Sequence, residues 1–168
     1  DTFECKPYTE ATVPCPVPWP PSWTALVQKV RSLQHPIMWE IFCGRAVLSD
    51  AFAATGITVA PPLDAVRNAE YDLTNASFVA VMVGIFMSGI VCFAHFAPPC
   101  STFSIALNGP LESRLRTWDS PAGIEGLTAG QRHQVAIGNA LASATAAMIN
   151  AQHKVGNVFQ LEQPAGSM

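Results

Sequence analysis

Charge is scarce in this chain: only 12% of its 168 residues are Asp, Glu, Lys or Arg, and the formal net charge is −3. No global basic field exists to draw in a polyanion, so any nucleic-acid contact has to be local. The five cysteines, at 5, 15, 43, 92 and 100, form no CxxC pair and are odd in number. That argues against a disulfide framework and against a zinc site, and no metal is expected. The compartment implied is reducing and intracellular, nuclear or cytoplasmic. No charged n-region followed by an apolar h-region opens the chain, so no signal peptide is read. No internal repeat is visible.

What is abundant is apolar surface. Hydrophobic residues make up 49% of the chain, ample for the core of a single domain. Residues 1–22 hold six prolines, at 7, 14, 16, 18, 20 and 21, and read as an extended tail or linker ahead of a domain over 23–168. Ser22 is placed to cap a helix from Trp23 to Leu33 with Trp23, Leu26, Val27 and Val30 on one face.

From His35 onward strands and helices alternate. Ile37 to Phe42 reads as a strand, Cys43-Gly44 as a turn, Ala46 to Thr55 as a helix stopped by Gly56, and Ile57 to Ala60 as a strand. A helix over Asn75 to Ser88, a strand over Ile90 to Phe96, a long helix over Ala129 to His153 and a strand over Val158 to Leu161 follow. This order implies an α/β, Rossmann-like fold with a mostly parallel sheet and right-handed crossovers. Residues 105–127, with Gly109-Pro110, Pro121, Gly123 and Gly126, read as a long polar loop of the kind that serves as a lid.

The stretch Phe78 to Phe96 contains no Asp, Glu, Lys or Arg and approaches the length that spans a bilayer. A membrane-embedded chain is therefore one alternative. Ser88-Gly89 interrupts the run, no Lys/Arg cluster flanks it and Pro98-Pro99 follows, so a buried helix, a turn and a central strand of a parallel sheet are expected instead, and no membrane partner.

The chemistry concentrates at predicted strand ends. Pro98-Pro99-Cys100 terminates the apolar run Ile90 to Phe96 and holds a thiol at the carboxyl edge of the sheet, where open α/β folds place ligands. Cys100 is the candidate nucleophile. Glu162, in Leu161-Glu162-Gln163-Pro164, ends the last strand at the same edge; a carboxylate in an apolar setting tends to a raised pKa suited to proton donation or to a hydrogen bond with a ring nitrogen. Glu40-Ile41-Phe42-Cys43-Gly44-Arg45-Ala46 forms a strand-to-helix turn in which Gly44 admits close approach by a ligand and the helix amino end adds partial positive charge. Asp64 lies 20 residues after Gly44, the spacing at which an acid reaches ribose hydroxyls in nucleotide-binding folds. Asp72 precedes the next helix, either to accept from an adenine amine or to act as a helix cap. His35, His95, His133 and His153 show no metal spacing; His95 is placed to sit near Cys100, but a satisfied core histidine is the preferred reading.

Taken in order, these residues resemble the C5-cytosine DNA methyltransferase family. Phe42-Cys43-Gly44 looks like its first cofactor motif, Asp64 and Asp72 match its next two acidic positions, Pro98-Pro99-Cys100 with Phe103-Ser104 looks like its catalytic motif, and Leu161-Glu162-Gln163-Pro164 is similar to its Glu-Asn motif. The resemblance covers about residues 36–168, in a divergent form like the methylase-like domains of mobile elements. Ser101 stands where the family has glutamine, Gln163 where it has asparagine and Ala46 where it has glycine.

The resemblance implies an S-adenosylmethionine-dependent methyltransferase fold. Cys100 and Glu162 are then its catalytic pair, Phe42, Gly44, Asp64, Asp72 and Pro98 bind the cofactor, and DNA is the partner. Arg114, Arg116 and Trp118 are the expected DNA contacts. The family's later arginine-bearing motif and target-recognition region are expected beyond Met168, so this segment alone is expected to be inactive. A non-catalytic Rossmann-like domain that binds cofactor or partner is the other alternative.

Overall fold

The computed structural model describes residues 19–104 and 114–163. The tail expectation for 1–18 and the first part of the expected lid, 105–113, lie outside them.

Eight elements alternate from helix to strand: α1 (Pro21–Arg31), β1 (Ile37–Ile41), α2 (Val47–Ala54), β2 (Thr58–Val59), α3 (Ala76–Met87), β3 (Val91–Phe96), α4 (Ala129–Lys154) and β4 (Val158–Leu161). All four strands are parallel, in the order β2-β1-β3-β4. The fold is therefore α/β with a parallel sheet, as the alternation predicted. β1 is buried at every position, as a central strand must be.

Neighbouring residues of β1 face opposite sides, and each side has its own cover. Trp39 points toward α3, where its ring lies 5.6 Å from Phe86, and Phe86 meets Phe96 of β3 at the same centroid distance. α1 joins this layer through Trp23, 4.9 Å from Phe78 of α3, and α4 packs along α3. On the other side Glu40 meets Ser49 of α2, and Phe52 of α2 stacks on Phe93 at 5.5 Å. α3 buries Phe78, Val81, Met82, Ile85 and Phe86, the helical spacing of a wide apolar face.

The charge-free run divides where expected. Ser88 caps α3 and Gly89, at φ +77°, turns the chain into β3. Among the described residues no helix is long and apolar enough to cross a membrane.

Several boundaries differ from expectation for local reasons. α1 starts at Pro21, where a missing N–H costs nothing, and Ser22 bonds Glu70 rather than capping. β1 ends at Ile41 because Phe42 has φ +62°, a conformation no strand continues. Asn75, not Asp72, caps α3, accepting from the N–H groups of Ser77 and Phe78. α4 opens with a reciprocal capping box between Thr128 and Gln131.

Two buried amides tie the last unit to the sheet. Gln152 Nε2 donates to the carbonyls of Val91 and Val158 at 2.8 and 3.0 Å, and Asn157 Nδ2 to Gly89 and Val91 at 3.0 and 2.9 Å. Cys92, inside β3, is disulfide-bonded, whereas Cys43 and Cys100 are free thiols. The expectation against disulfides is corrected at that position.

Candidate active site

Parallel strands end together, and the chain order places a switch point between β1 and β3, where successive connections leave in opposite directions. The turns after β1, β3 and β4 all open there. Ala97 N–H donates to Ile41 O at 3.2 Å and Glu162 N–H to Phe96 O at 2.8 Å, so the three turns are laced side by side. Ile41 also bridges Leu63, which brings the segment after β2 to the same edge.

Cys100 and Glu162 line one pocket of about 320 Å³, together with Ala97, Pro98, Pro99 and Gln163. Pro98 is buried, Pro99 exposed and Cys100 half-buried. The carbonyl of Cys100 accepts from the N–H groups of Phe103 and Ser104 at 2.8 and 2.9 Å, which closes a tight turn behind the thiol. The Glu162 side chain is 72% exposed, so the apolar enclosure expected around its carboxyl is absent. Its Oε2 lies 3.7 Å from Nε2 of His95, whose side chain is 8% exposed and whose Nδ1 has no partner among the described residues. His95 is thus a core histidine, as read, and it also reaches the site.

Gly44 lies in a loop whose backbone is left-handed at Phe42, Gly44 and Ala46, with φ of 62°, 48° and 61°. Asp64 braces that loop: Oδ2 accepts from Gly44 N–H at 2.9 Å and Oδ1 from Val66 N–H at 2.9 Å. Arg67 Nε completes the brace by donating to Gly44 O at 3.1 Å. The spacing of Gly44 and Asp64 therefore corresponds to a real contact. A Cβ at Gly44 would meet nothing within 4 Å, so the loop's outer side is open. Asp72 lies apart from this brace; its carboxylate accepts from Thr74 N–H and Oγ1 at 2.8 Å in a local turn.

Glu40 had no assigned role in the sequence. Buried at 6% exposure, it accepts from Ser49 N–H at 2.8 Å and Oγ at 2.6 Å. Ala46 at the cap of α2 has no side-chain oxygen, so an acid reaching up from β1 satisfies that helix end instead. An acid just before a glycine turn, with no capping residue after it, was the available signal. Cys43 is also buried, which pushes its thiol pKa up; the nearby Arg67 opposes the rise without cancelling it.

The expected DNA contacts separate. Trp118 is 74% exposed and Arg114 half-buried, with its Nε unpartnered among the described residues. Arg116 is 0% exposed, and the expectation of a DNA contact is corrected there: its guanidinium is engaged by Thr102, Pro121, Val135 and Asn139. Among the described residues no group of His, Cys, Asp or Glu would hold a metal ion.

No protein-family model, curated protein or solved structure matches this chain.

Proposed function

We propose that this sheet edge carries out S-adenosylmethionine-dependent methylation of cytosine at C5 in DNA. The observation that carries the reading is the shared pocket of Cys100 and Glu162, one residue group from each of two adjacent parallel strands. The resemblance of their motifs to those of C5-cytosine methyltransferases supplies the substrate class.

C5 of cytosine is a poor nucleophile until a group adds to C6. In this reading the Cys100 thiolate forms an Sγ–C6 bond while Glu162 gives a proton to N3, leaving electron density on C5. S-adenosylmethionine, when bound, supplies the electrophilic methyl group. Once C5 carries the methyl, loss of the C5 proton to a base expels the Cys100 thiolate and restores the aromatic ring. Glu162 takes back the N3 proton.

The residues around Gly44 fit the cofactor by their donor and acceptor set. Asp64 offers a carboxylate beside an open glycine loop, while the amino end of α2 is already engaged by Glu40. Phe42 and Pro98 flank the switch point, and Asp72 is the candidate for the adenine amine. Arg114 and Trp118 remain the candidates for DNA, whose target base must leave the stack to reach Cys100.

Titration calorimetry with S-adenosylmethionine, on the wild type and on Cys100→Ser, tests the cofactor half of this reading. Equal binding by both is expected. Absence of binding in the wild type would remove the cofactor and the function with it. A second reading, a cofactor-binding domain without transfer, is favoured by the interior placement of Arg116, which takes one cation from the expected DNA surface. Binding without any covalent capture of cytosine by a chain extended past Met168 would select it.

A further inference from the structure

Arg116 is an interior cation with no acid paired to it among the described residues. The one ion pair among the described residues is His95 with Glu162. Neutral acceptors surround the guanidinium instead. Nε and Nη2 donate to Thr102 Oγ1 at 3.2 and 2.9 Å, Nη2 to Val135 O at 3.1 Å, and Nη1 to Asn139 Oδ1 at 2.7 Å and to Pro121 O. Its plane lies over the ring of Phe103, 3.8 Å from the centroid. Burial lowers its pKa, the mark of a charge held in the interior at a cost.

What that cost secures is visible in the partners. Thr102 and Phe103 belong to the turn that Cys100 begins, closed at its backbone by the Cys100 carbonyl. Val135 and Asn139 belong to α4, and Pro121 to the loop that carries Arg116 itself. Three chain segments therefore meet at one guanidinium. α4 makes room for them at Gly138, where a Cβ would stand 2.5 Å from Thr102 Oγ1 and 2.9 Å from Arg116 Nη2. Arg116 does not line the pocket, so anything it does for the site passes through Thr102 and Phe103.

We infer that Arg116 is a positioning residue for Cys100, its guanidinium fixing against α4 the turn that aims the thiol into the pocket. The inference rests on Cys100 being the reacting group of the proposed function. Lysine cannot replace it: one ammonium on a flexible stem cannot bridge Thr102, Val135, Asn139 and Pro121 with the planar fork. Thr102→Val removes the acceptor in the turn while leaving the other partners of Arg116 in place.

The test is the alkylation rate of Cys100 by iodoacetamide, read by peptide mass spectrometry, with buried Cys43 in the same sample reporting general opening. Measurements are made well below each variant's melting temperature. Arg116→Lys and Thr102→Val are expected to raise the Cys100 rate by about threefold or more with the Cys43 rate unchanged, because only the turn is released. Thr102→Ser, which keeps the hydroxyl, is expected to behave as wild type. A smaller change at Cys100 in both variants, or a parallel rise at Cys43, overturns the inference. Neither DNA nor cofactor enters this assay, so failure of the methylation reading is seen separately, in covalent capture of cytosine.

Discussion

Glu162 donates its backbone N–H to the carbonyl of Phe96 at 2.8 Å, continuing the ladder in which Phe96 pairs with Leu161. That register decides which side chains meet. A turn ending in Cys100 leaves β3 just where Glu162 leaves β4, and the two share a pocket because their strands stop in step. Slipping the pairing by one residue would turn Glu162 to the opposite face.

Cys100 is expected to be the first of the free thiols in the described residues to react. It is half-buried, whereas Cys43 is 6% exposed and its pKa is raised mainly by burial. Brief alkylation near neutral pH followed by peptide mass spectrometry checks the order. Cys43 labelled ahead of Cys100 would reject the assignment of the nucleophile.

The same burial predicts a pH dependence of stability. The fold favours the neutral Cys43 thiol, while the unfolded chain ionises it near an ordinary thiol pKa of about 8.5. The unfolded state then binds fewer protons than the folded one, so this contribution is intact below that pH and is lost as pH rises toward the raised folded value. Urea denaturation between neutral and alkaline pH should show a shallower decline in Cys43→Ala than in wild type. Identical slopes would mean that Cys43 is not held neutral.

Asp64→Ala should weaken S-adenosylmethionine binding by about 1–3 kcal/mol, roughly 5- to 150-fold in Kd, since it removes both the carboxylate and the brace on the Gly44 loop. Titration calorimetry reads it directly. Unchanged affinity would move the cofactor elsewhere.

Two glycines of α4 should respond in opposite directions to alanine. Gly130→Ala adds a Cβ with nothing within 4 Å and should stabilise by about 0.5–1 kcal/mol through helix propensity. Gly138→Ala drives a Cβ to 2.5 Å from Thr102 Oγ1 and should destabilise by about 1–3 kcal/mol. Thermal melting of both distinguishes the crowded position from the open one; equal shifts would contradict the packing described at Arg116.

Legibility in the sequence tracked how local each determinant is. The division of the Phe78 to Phe96 run was readable because Ser88-Gly89 punctuates it, and α4 was read over Ala129 to His153, although the Thr128–Gln131 capping box that opens it went unread. Cys100 and Glu162 were readable as strand-end residues, since apolar runs precede both, and the parallel order then brings them together. Arg116 was not. In sequence it stands in a polar stretch beside exposed Trp118, and only Thr102, Val135 and Asn139, distant along the chain, make its position an interior one. Asp64 was found by spacing, but its bond to the Gly44 amide is a tertiary contact that spacing alone does not specify. The disulfide of Cys92 was missed because parity counts cysteines without locating them.

The most direct test of the account is covalent capture on DNA containing 5-fluorocytosine. Fluorine at C5 cannot leave as a proton does, so the Sγ–C6 bond persists once the methyl has been placed. A single-stranded or mismatched target base keeps the cost of extrusion, otherwise a few kcal/mol, to a minimum. With S-adenosylmethionine present and the chain extended past Met168 to carry the arginine-bearing motif that the resemblance implies, the account predicts an adduct stable in denaturant, mapped by mass spectrometry to the Cys100 peptide and abolished in Cys100→Ser. An adduct that survives Cys100→Ser, or none at all from an extended protein that binds the cofactor, would contradict it.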